Sequence, residues 1–229
     1  MLEAETLTIL SELDDAARVA RVTAELDRGF DALAGVGRAV SVFGSARTTA
    51  TDPFYARARE LARSLGEEGF AIITGGGPGI MEAANRGAQE AGVTSIGLGI
   101  DLPHEQRMNE WVGLPLEFHY FFIRKVMFVR YASAFVVFPG GFGTFDELFE
   151  AATLRQTEKI RHFPIVLFGV DYWRGLVDWL RDPVLAEGKI AAHDVGTLEL
   201  TDDPARVLDL VRAVEHRRPR ADGGDRASS

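Results

Sequence analysis

Short apolar segments alternate with longer amphipathic segments along most of this chain. The pattern predicts strands at 39–43, 70–74, 95–100, 134–138 and 164–168, and helices at 53–68, 79–91, 119–132, 144–158, 172–181 and 204–214. Apolar strands that alternate with helices are typical of a parallel sheet buried on both faces. The sequence therefore predicts an α/β fold, doubly wound, with a mainly parallel sheet.

The length of 229 residues and the hydrophobic content of 46% allow one full core. We expect a single Rossmann-like domain at 38–214. Residues 14–34 carry apolar side chains at helical spacing among charges, so 1–37 are predicted to be an N-terminal helical extension. Residues 215–229 lack apolar periodicity and are predicted to be a disordered tail.

The composition argues against several classes of function. The chain has no cysteine, which excludes disulfides, thiolate catalysis and Cys-ligated zinc. Its formal net charge of −9 disfavours a nucleic-acid surface. The first residues are acidic, and no apolar run approaches the roughly 20 residues that a bilayer span needs. We therefore expect a cytoplasmic protein that binds neither nucleic acid nor membrane.

A glycine-rich turn at 139–143 lies between a predicted strand and a predicted helix. Glycines let the backbone approach a ligand closely, and the free N–H groups at a helix start favour an anion. The turn therefore predicts a phosphate site.

Glu147, in the following helix, has two interpretations that can hold together. It is three residues after Thr144, as in a capping box, where glutamine would serve nearly as well at a cost of roughly 0.3 to 1 kcal/mol. Alternatively, its carboxylate acts on the sugar of a bound sugar phosphate.

A second glycine turn, at 75–79, also follows a strand and precedes a helix. It lacks the Lys-Ser/Thr ending of a P-loop, and Ile80 replaces the third small residue of a dinucleotide fingerprint. We therefore predict neither ATP hydrolysis nor a nicotinamide cofactor. Glu82 and Asn85 lie in the first turns of the next helix, where they either contact a ligand or are ordinary exposed residues.

Two adjacent basic residues, Arg124 and Lys125, interrupt an apolar helical segment at 119–131. Neighbouring helical residues point about 100° apart, so both cannot serve one point equally. Either they extend to solvent as surface residues, or Arg124 is a fixed cation in a partly dry cleft. His104 and Glu105 begin a zinc-protease motif, but Met108 occupies the second histidine position, and no metal site is predicted.

The chain resembles the Lonely Guy (LOG) family of cytokinin riboside 5′-monophosphate phosphoribohydrolases in three segments taken together. They are Gly75–Gly87, Arg124–Lys125 and the Pro-Gly-Gly-x-Gly-Thr-x-x-Glu motif at 139–147. The resemblance covers about 38–214, and the segment at 154–160 and the N-terminal extension are more similar to the longer, bacterial branch. It implies hydrolysis of the N-glycosidic bond of N⁶-substituted adenosine 5′-monophosphates, with AMP also accepted. It also implies a homo-oligomer and no cofactor.

The same resemblance implies roles for individual residues. The family's catalytic residues fall on Arg124 and Glu147. Its phosphate loop falls on Gly140, Gly141, Gly143 and Thr144, and Lys125 and Thr153 match positions that line its substrate site. With these we group the less specific candidates of the second turn and its helix: Gly75, Gly76, Gly77, Glu82 and Asn85.

Two other functions are considered. Many members carry a lysine decarboxylase label, which the sequence does not support, because none of the three lysines lies in a motif that would link pyridoxal phosphate. The alternative from another class is a binding protein without turnover, since molybdenum-cofactor carriers have the same fold and similar glycine turns. Arg124 together with Glu147 favours the enzyme, because a carrier needs no carboxylate at the sugar.

Overall fold

The computed structural model describes residues 14–101, 107–160 and 163–215. Its strands are β1 (Ala39–Phe43), β2 (Ala71–Thr74), β3 (Ser95–Ile100), β4 (Leu114–Phe118), β5 (Ala134–Val137), β6 (Ile165–Phe168) and β7 (Leu198–Thr201). They form one sheet in the order β4-β3-β2-β1-β5-β6-β7, and every neighbouring pair is parallel. The doubly wound, parallel α/β fold predicted from the sequence is confirmed.

The helices are α1 (Asp15–Leu33), α2 (Pro53–Glu67), α3 (Ile80–Glu90), α4 (Phe121–Tyr131), α5 (Phe142–Gln156), α6 (Val170–Trp179), α7 (Ala192–Val195) and α8 (Pro204–Glu215). A π-helical segment, Leu180–Val184, follows α6. Within the described ranges, no helix is long and apolar enough to cross a membrane. The predicted tail lies outside these ranges except for the last residue of α8, as does the His104–Glu105 pair.

Helices cover both faces of the sheet because alternate strand residues point to opposite sides. Phe43 packs with residues of α1, α4, α5 and α6 in one buried cluster. Its neighbour Val42 packs with residues of α2, α3 and α8 in the other. The central strands β1, β2, β5 and β6 are buried along their whole length, which explains their continuous apolar sequences.

The two edge strands, β4 and β7, were not predicted. β4 contains Pro115, which has no N–H to donate and is tolerated because an edge strand has a partner on one side only. β7 reads Leu-Glu-Leu-Thr and is only partly buried. Neither strand has the apolar run by which a buried strand is recognised.

The strand order reverses between β1 and β5, and a crevice opens at their carboxyl ends. Backbone hydrogen bonds join the turns that follow the central strands there. The N–H of Ser45, after β1, donates to Pro139 O, after β5, at 2.9 Å. The N–H of Ile80 donates to Ser45 O at 3.1 Å, so the glycine turn after β2 is joined to the turns after β1 and β5.

Candidate active site

A cavity of about 770 Å³ lies in this crevice. Its lining includes the turn after β1, the glycine turn after β5, the first residues of α5, and Arg124 from α4. This volume is within the usual range of about 300 to 1,000 Å³ for small-molecule sites. Seven of the residues predicted for the site line this cavity: Gly75, Arg124, Gly140, Gly141, Gly143, Thr144 and Glu147.

The start of α5 is open to an anion. Gly141 is its N-cap residue, and no side chain caps the helix. The first N–H groups and the positive end of the helix dipole are therefore available where the helix borders the cavity. The hydroxyl of Tyr172 donates to Gly140 O at 2.6 Å, which holds the turn from the side of α6. By contrast, the first N–H of α3 is already used by Ser45 O.

The capping-box interpretation of Thr144 and Glu147 is wrong. Helix α5 begins at Phe142, two residues earlier than the sequence pattern predicted, so Thr144 is already inside its first turn. The Thr144 side chain packs against Gly140, and a side chain added at Gly140 would collide with it. Glu147 therefore has no capping role, and its presence needs another explanation.

Glu147 is a buried carboxyl group, with only 4% of its surface exposed. Burial raises its pKa from 4.5 to about 7, although the positive charges of Arg124 and Lys125 act in the opposite direction. Its Oε2 atom has no hydrogen-bond partner among the described residues. A carboxyl group held in this way is costly to the fold, which is typical of a functional position.

Arg124 is fixed rather than mobile at the surface. Its Nε donates to Leu98 O at 2.8 Å, and its guanidinium lies 5.1 Å from the centre of the Phe128 ring. Burial lowers its pKa, and the carboxylates of Glu147 and Asp146 oppose that change. An arginine guanidinium keeps its proton in proteins, so Arg124 remains a cation. A Cβ atom at Gly75 would lie 2.5 Å from Arg124 Nη2, so the glycine leaves space for this cation.

Lys125 and Thr153 lie outside the main cavity. Both line a neighbouring hollow of about 600 Å³, which shares Phe142, Phe145 and Asp146 with it. Lys125 Nζ is 2.8 Å from Asp146 Oδ1 and 3.0 Å from Glu150 Oε2. Burial lowers the pKa of Lys125, but these carboxylates outweigh it and the net change is upward.

Asn85 lies beneath the second glycine turn and has no exposed surface. Its Oδ1 accepts from Thr74 at 2.6 Å and from Asn109 at 3.0 Å. The Asn109 side chain also donates to Gly76 O and Gly77 O. Asn85 thus belongs to a buried network that fixes the turn, and it does not line the cavity.

Glu82 does not line the cavity either. Its Oε1 accepts from the Tyr55 hydroxyl at 2.7 Å, which joins α3 to α2.

Several lining residues were missing from the sequence prediction. Arg47, in the turn after β1, is an exposed cation at the cavity, with no ion-pair partner among the described residues. Its position just after a central strand is the signal that could have identified it. Phe121 and Tyr172 also contribute, but no local motif marks them.

Comparisons with known proteins show what this chain is similar to. A family model described as "Possible lysine decarboxylase" matches residues 81–211. A probable cytokinin riboside 5′-monophosphate phosphoribohydrolase from Oryza sativa subsp. japonica is 29% identical over 195 residues, which cover 83% of this chain and 84% of the relative. A pyrimidine/purine nucleotide 5′-monophosphate nucleosidase from Escherichia coli is 30% identical over 145 residues, which cover 55% of this chain and 31% of the relative.

Among solved structures, a molybdenum-cofactor carrier protein from Chlamydomonas reinhardtii matches with a TM-score of 0.56 and 21% identity. The match covers 80% of this chain and 99% of the carrier. At that identity the likeness concerns the fold alone. The family model, by contrast, matches more than half of the sequence, and the relatives named above are phosphoribohydrolases and nucleosidases. The chain belongs to the Lonely Guy (LOG) family, whose model carries the lysine decarboxylase description.

Proposed function

We propose that the protein hydrolyses the N-glycosidic bond of AMP and of N⁶-substituted adenosine 5′-monophosphates, releasing the free base and ribose 5-phosphate. The observation that carries this proposal is the buried Glu147 carboxyl, which lines the same cavity as an uncapped helix start. The names of the relatives support the same reaction. With an N⁶-isopentenyl substituent, the released base is a cytokinin. The lack of cysteine fits the reducing cytoplasm, where we propose that the enzyme acts.

In this proposal the phosphate binds at the start of α5. Gly140, Gly141 and Gly143 let the phosphate oxygens approach the backbone N–H groups, and Thr144 adds a hydroxyl in the first turn. Arg47 supplies a cation at the rim. Gly75 keeps space for Arg124. Gly76 and Gly77 continue the turn, which the Asn85 network holds from beneath.

Cleavage passes through an oxocarbenium-like state, in which positive charge grows on the ribose. The Glu147 carboxylate then stabilises the transition state more than the ground state, because it faces a full charge only as the bond breaks. The same carboxylate can accept a proton from the attacking water. Arg124, held at Leu98 O, orients the phosphate and sugar. Glu82, Lys125 and Thr153 lie outside the cavity, and we assign them supporting roles around it.

The test is an incubation with AMP and, separately, with N⁶-isopentenyladenosine 5′-monophosphate, followed by chromatography of the products. Free base and ribose 5-phosphate should appear in equal amounts. UMP is included because the Escherichia coli relative is named a pyrimidine/purine nucleosidase. Its cleavage would show that pyrimidine nucleotides are also substrates. If all three nucleotides are recovered intact, the proposed activity is wrong and the carrier alternative gains support.

The raised pKa of Glu147 predicts how activity depends on pH. Only the ionised carboxylate can stabilise the ribose cation, and the pKa of this group is about 7. We therefore expect kcat for AMP to rise about tenfold per pH unit below that value and to level off above it. The residual activity of Glu147→Gln should lack this inflection. A kcat that falls as the pH rises through 7 would mean that Glu147 donates a proton instead.

We also propose that the chain forms a homo-oligomer through the face that carries α4 and α5. Phe121, Phe122 and Val126 are exposed on α4, and Phe142 and Phe149 are exposed on α5. Among the described residues, every large exposed apolar side chain lies on α1, α4, α5 or α6 and none on the opposite layer of α2, α3 and α8. Such one-sided exposure is typical of an interface.

Light scattering should therefore give a mass of at least twice the 25.1 kDa of one chain. The double substitution Phe122→Glu and Phe149→Glu should shift the protein toward monomers, because it places charges in the apolar surface. Ala205→Glu, on the exposed side of α8, is the matched control and should leave the mass unchanged. A monomeric unmutated protein contradicts the proposal.

A further inference from the structure

A buried carboxylate of the N-terminal helix lies at the start of the helix that carries Arg124. Glu25, on α1, has 4% of its surface exposed. Its Oε2 accepts hydrogen bonds from the backbone N–H groups of His119 at 3.1 Å and Tyr120 at 3.3 Å. Tyr120 is the N-cap residue of α4, and no side chain of that segment caps the helix. Glu25 therefore supplies from another helix the carboxylate that a helix start favours.

The rest of α1 is fitted closely to the same region. The guanidinium of Arg28 donates at 2.6 Å to the carbonyl oxygen of Glu117, near the end of β4. A Cβ atom at Gly29 would lie 2.6 Å from the end of the Met127 side chain, so the glycine permits close contact between α1 and α4. Leu33 is fully buried in the core cluster that also contains Met127.

The contacts continue from Glu25 to the cavity. After Tyr120, the first-turn hydrogen bond of α4 runs from the N–H of Arg124 to Tyr120 O, at 3.3 Å. The Arg124 side chain is then fixed at Leu98 O. A rotation or fraying of the first turn would move the base of the Arg124 side chain. It would also move Phe121, which lines the cavity beside it.

From these contacts we infer that Glu25 is a positioning residue for the reaction, which acts by holding the first turn of α4 and thereby the Arg124 guanidinium. The N-terminal helix is then part of the catalytic apparatus rather than an appendage. This inference rests on the proposed role of Arg124. The hydrogen bonds matter more than the ion pair of Glu25 with Arg21, whose atoms are 3.6 Å apart and whose arginine is 43% exposed.

The test compares Glu25→Ala, which removes the acceptor, with Glu25→Gln, which keeps a carbonyl oxygen. Asp27→Ala, on the exposed side of the same helix, is the matched control. Each variant is made in the unmutated protein and in Arg124→Lys. Unfolding is measured first, so that kcat and KM for AMP are compared only where every variant is folded.

We expect Glu25→Ala to lower kcat/KM about tenfold, Glu25→Gln to stay within about threefold, and Asp27→Ala to change nothing. In Arg124→Lys, the loss from Glu25→Ala should shrink to about twofold or less, because the group that Glu25 positions is gone. Reduced thermal stability with unchanged kcat and KM would make Glu25 merely structural. An equal loss in both backgrounds would show that it does not act through Arg124.

Failure of the proposed function is recognised separately. If the unmutated protein releases no base, the same variants are compared by their dissociation constants for AMP in calorimetry. Weaker binding by Glu25→Ala, absent in the Arg124→Lys background, still supports the positioning role. Unchanged binding in both backgrounds overturns it.

Discussion

Replacing Glu147 with glutamine should lower kcat for AMP about 100-fold or more, while AMP still binds. The amide has nearly the same shape but carries no charge, so it cannot offset the positive charge that develops on the ribose. The phosphate contacts that we propose at the start of α5 use the glycine turn, and Glu147 is not among them. Steady-state kinetics and calorimetric binding of AMP measure the two effects separately. Near-normal hydrolysis by Glu147→Gln would remove the carboxylate from the mechanism.

The same substitution should stabilise the fold near pH 8. The pKa of Glu147 is raised from 4.5 to about 7, so the folded state holds this proton more tightly than the unfolded state. The favourable contribution of this bound proton to the free energy of unfolding is complete below about pH 4.5 and is lost as the pH rises through about 7. That difference corresponds to about 3 kcal/mol. Glutamine avoids the cost of ionising a buried group, so Glu147→Gln should gain up to about that amount near pH 8 and little near pH 4.

Denaturant unfolding at the two pH values checks this result. Glu60→Gln, at an exposed position on α2, is the control and should change the free energy of unfolding by less than about 0.5 kcal/mol at either pH. This expectation reverses the one from the capping-box interpretation, in which glutamine costs a fraction of a kcal/mol. Destabilisation by Glu147→Gln near pH 8 would mean that the carboxylate has a structural partner.

Adenosine should be at least about 100-fold poorer than AMP in kcat/KM. It lacks the phosphate that we place on the uncapped start of α5, where several charge-assisted hydrogen bonds would be lost together. Kinetics with both substrates under identical conditions give the ratio. Equal turnover of adenosine and AMP would show that the glycine turn does not bind the phosphate.

A variant of the glycine turn refines this test. A side chain at Gly140 would collide with Thr144, so Gly140→Ala should distort the turn. The ratio of kcat/KM for AMP to kcat/KM for adenosine should then become smaller. Gly175→Ala, on α6, adds the same methyl group where nothing lies within 4 Å, and should leave the difference unchanged.

Most of the fold could be predicted because the central strands are buried on both sides and therefore have apolar sequences. The edge strands β4 and β7 lack that signal, since each is partly exposed and one contains Pro115. The sequence pattern places the start of α5 two residues too late, because Thr144 resembles an N-cap residue. In the structure, Gly141 occupies that position and the strand before the turn ends at Val137.

The site could be predicted only where a local motif marks it. Glycine turns and the Arg124–Glu147 pair carry recognisable signals, and all of these segments border the cavity. Asn85 was grouped with the ligand contacts because helix position alone does not show which side chain is buried. Its partners Thr74, Ser95 and Asn109 come from three separate segments. Glu25 had no signal at all, because the two N–H groups that donate to it lie more than 90 residues away.

We propose that the cavity breaks a bond in the nucleotide rather than only holding it. The most direct measurement mixes AMP with an excess of the folded protein, so that each AMP is bound once, and then quantifies adenine after quenching. At a quench time that allows the unmutated protein to convert all of the AMP to adenine, we expect Glu147→Gln to return almost all of it intact. Intact AMP recovered from the unmutated protein, after binding has been verified by calorimetry, would show that the protein binds the nucleotide without cleaving it.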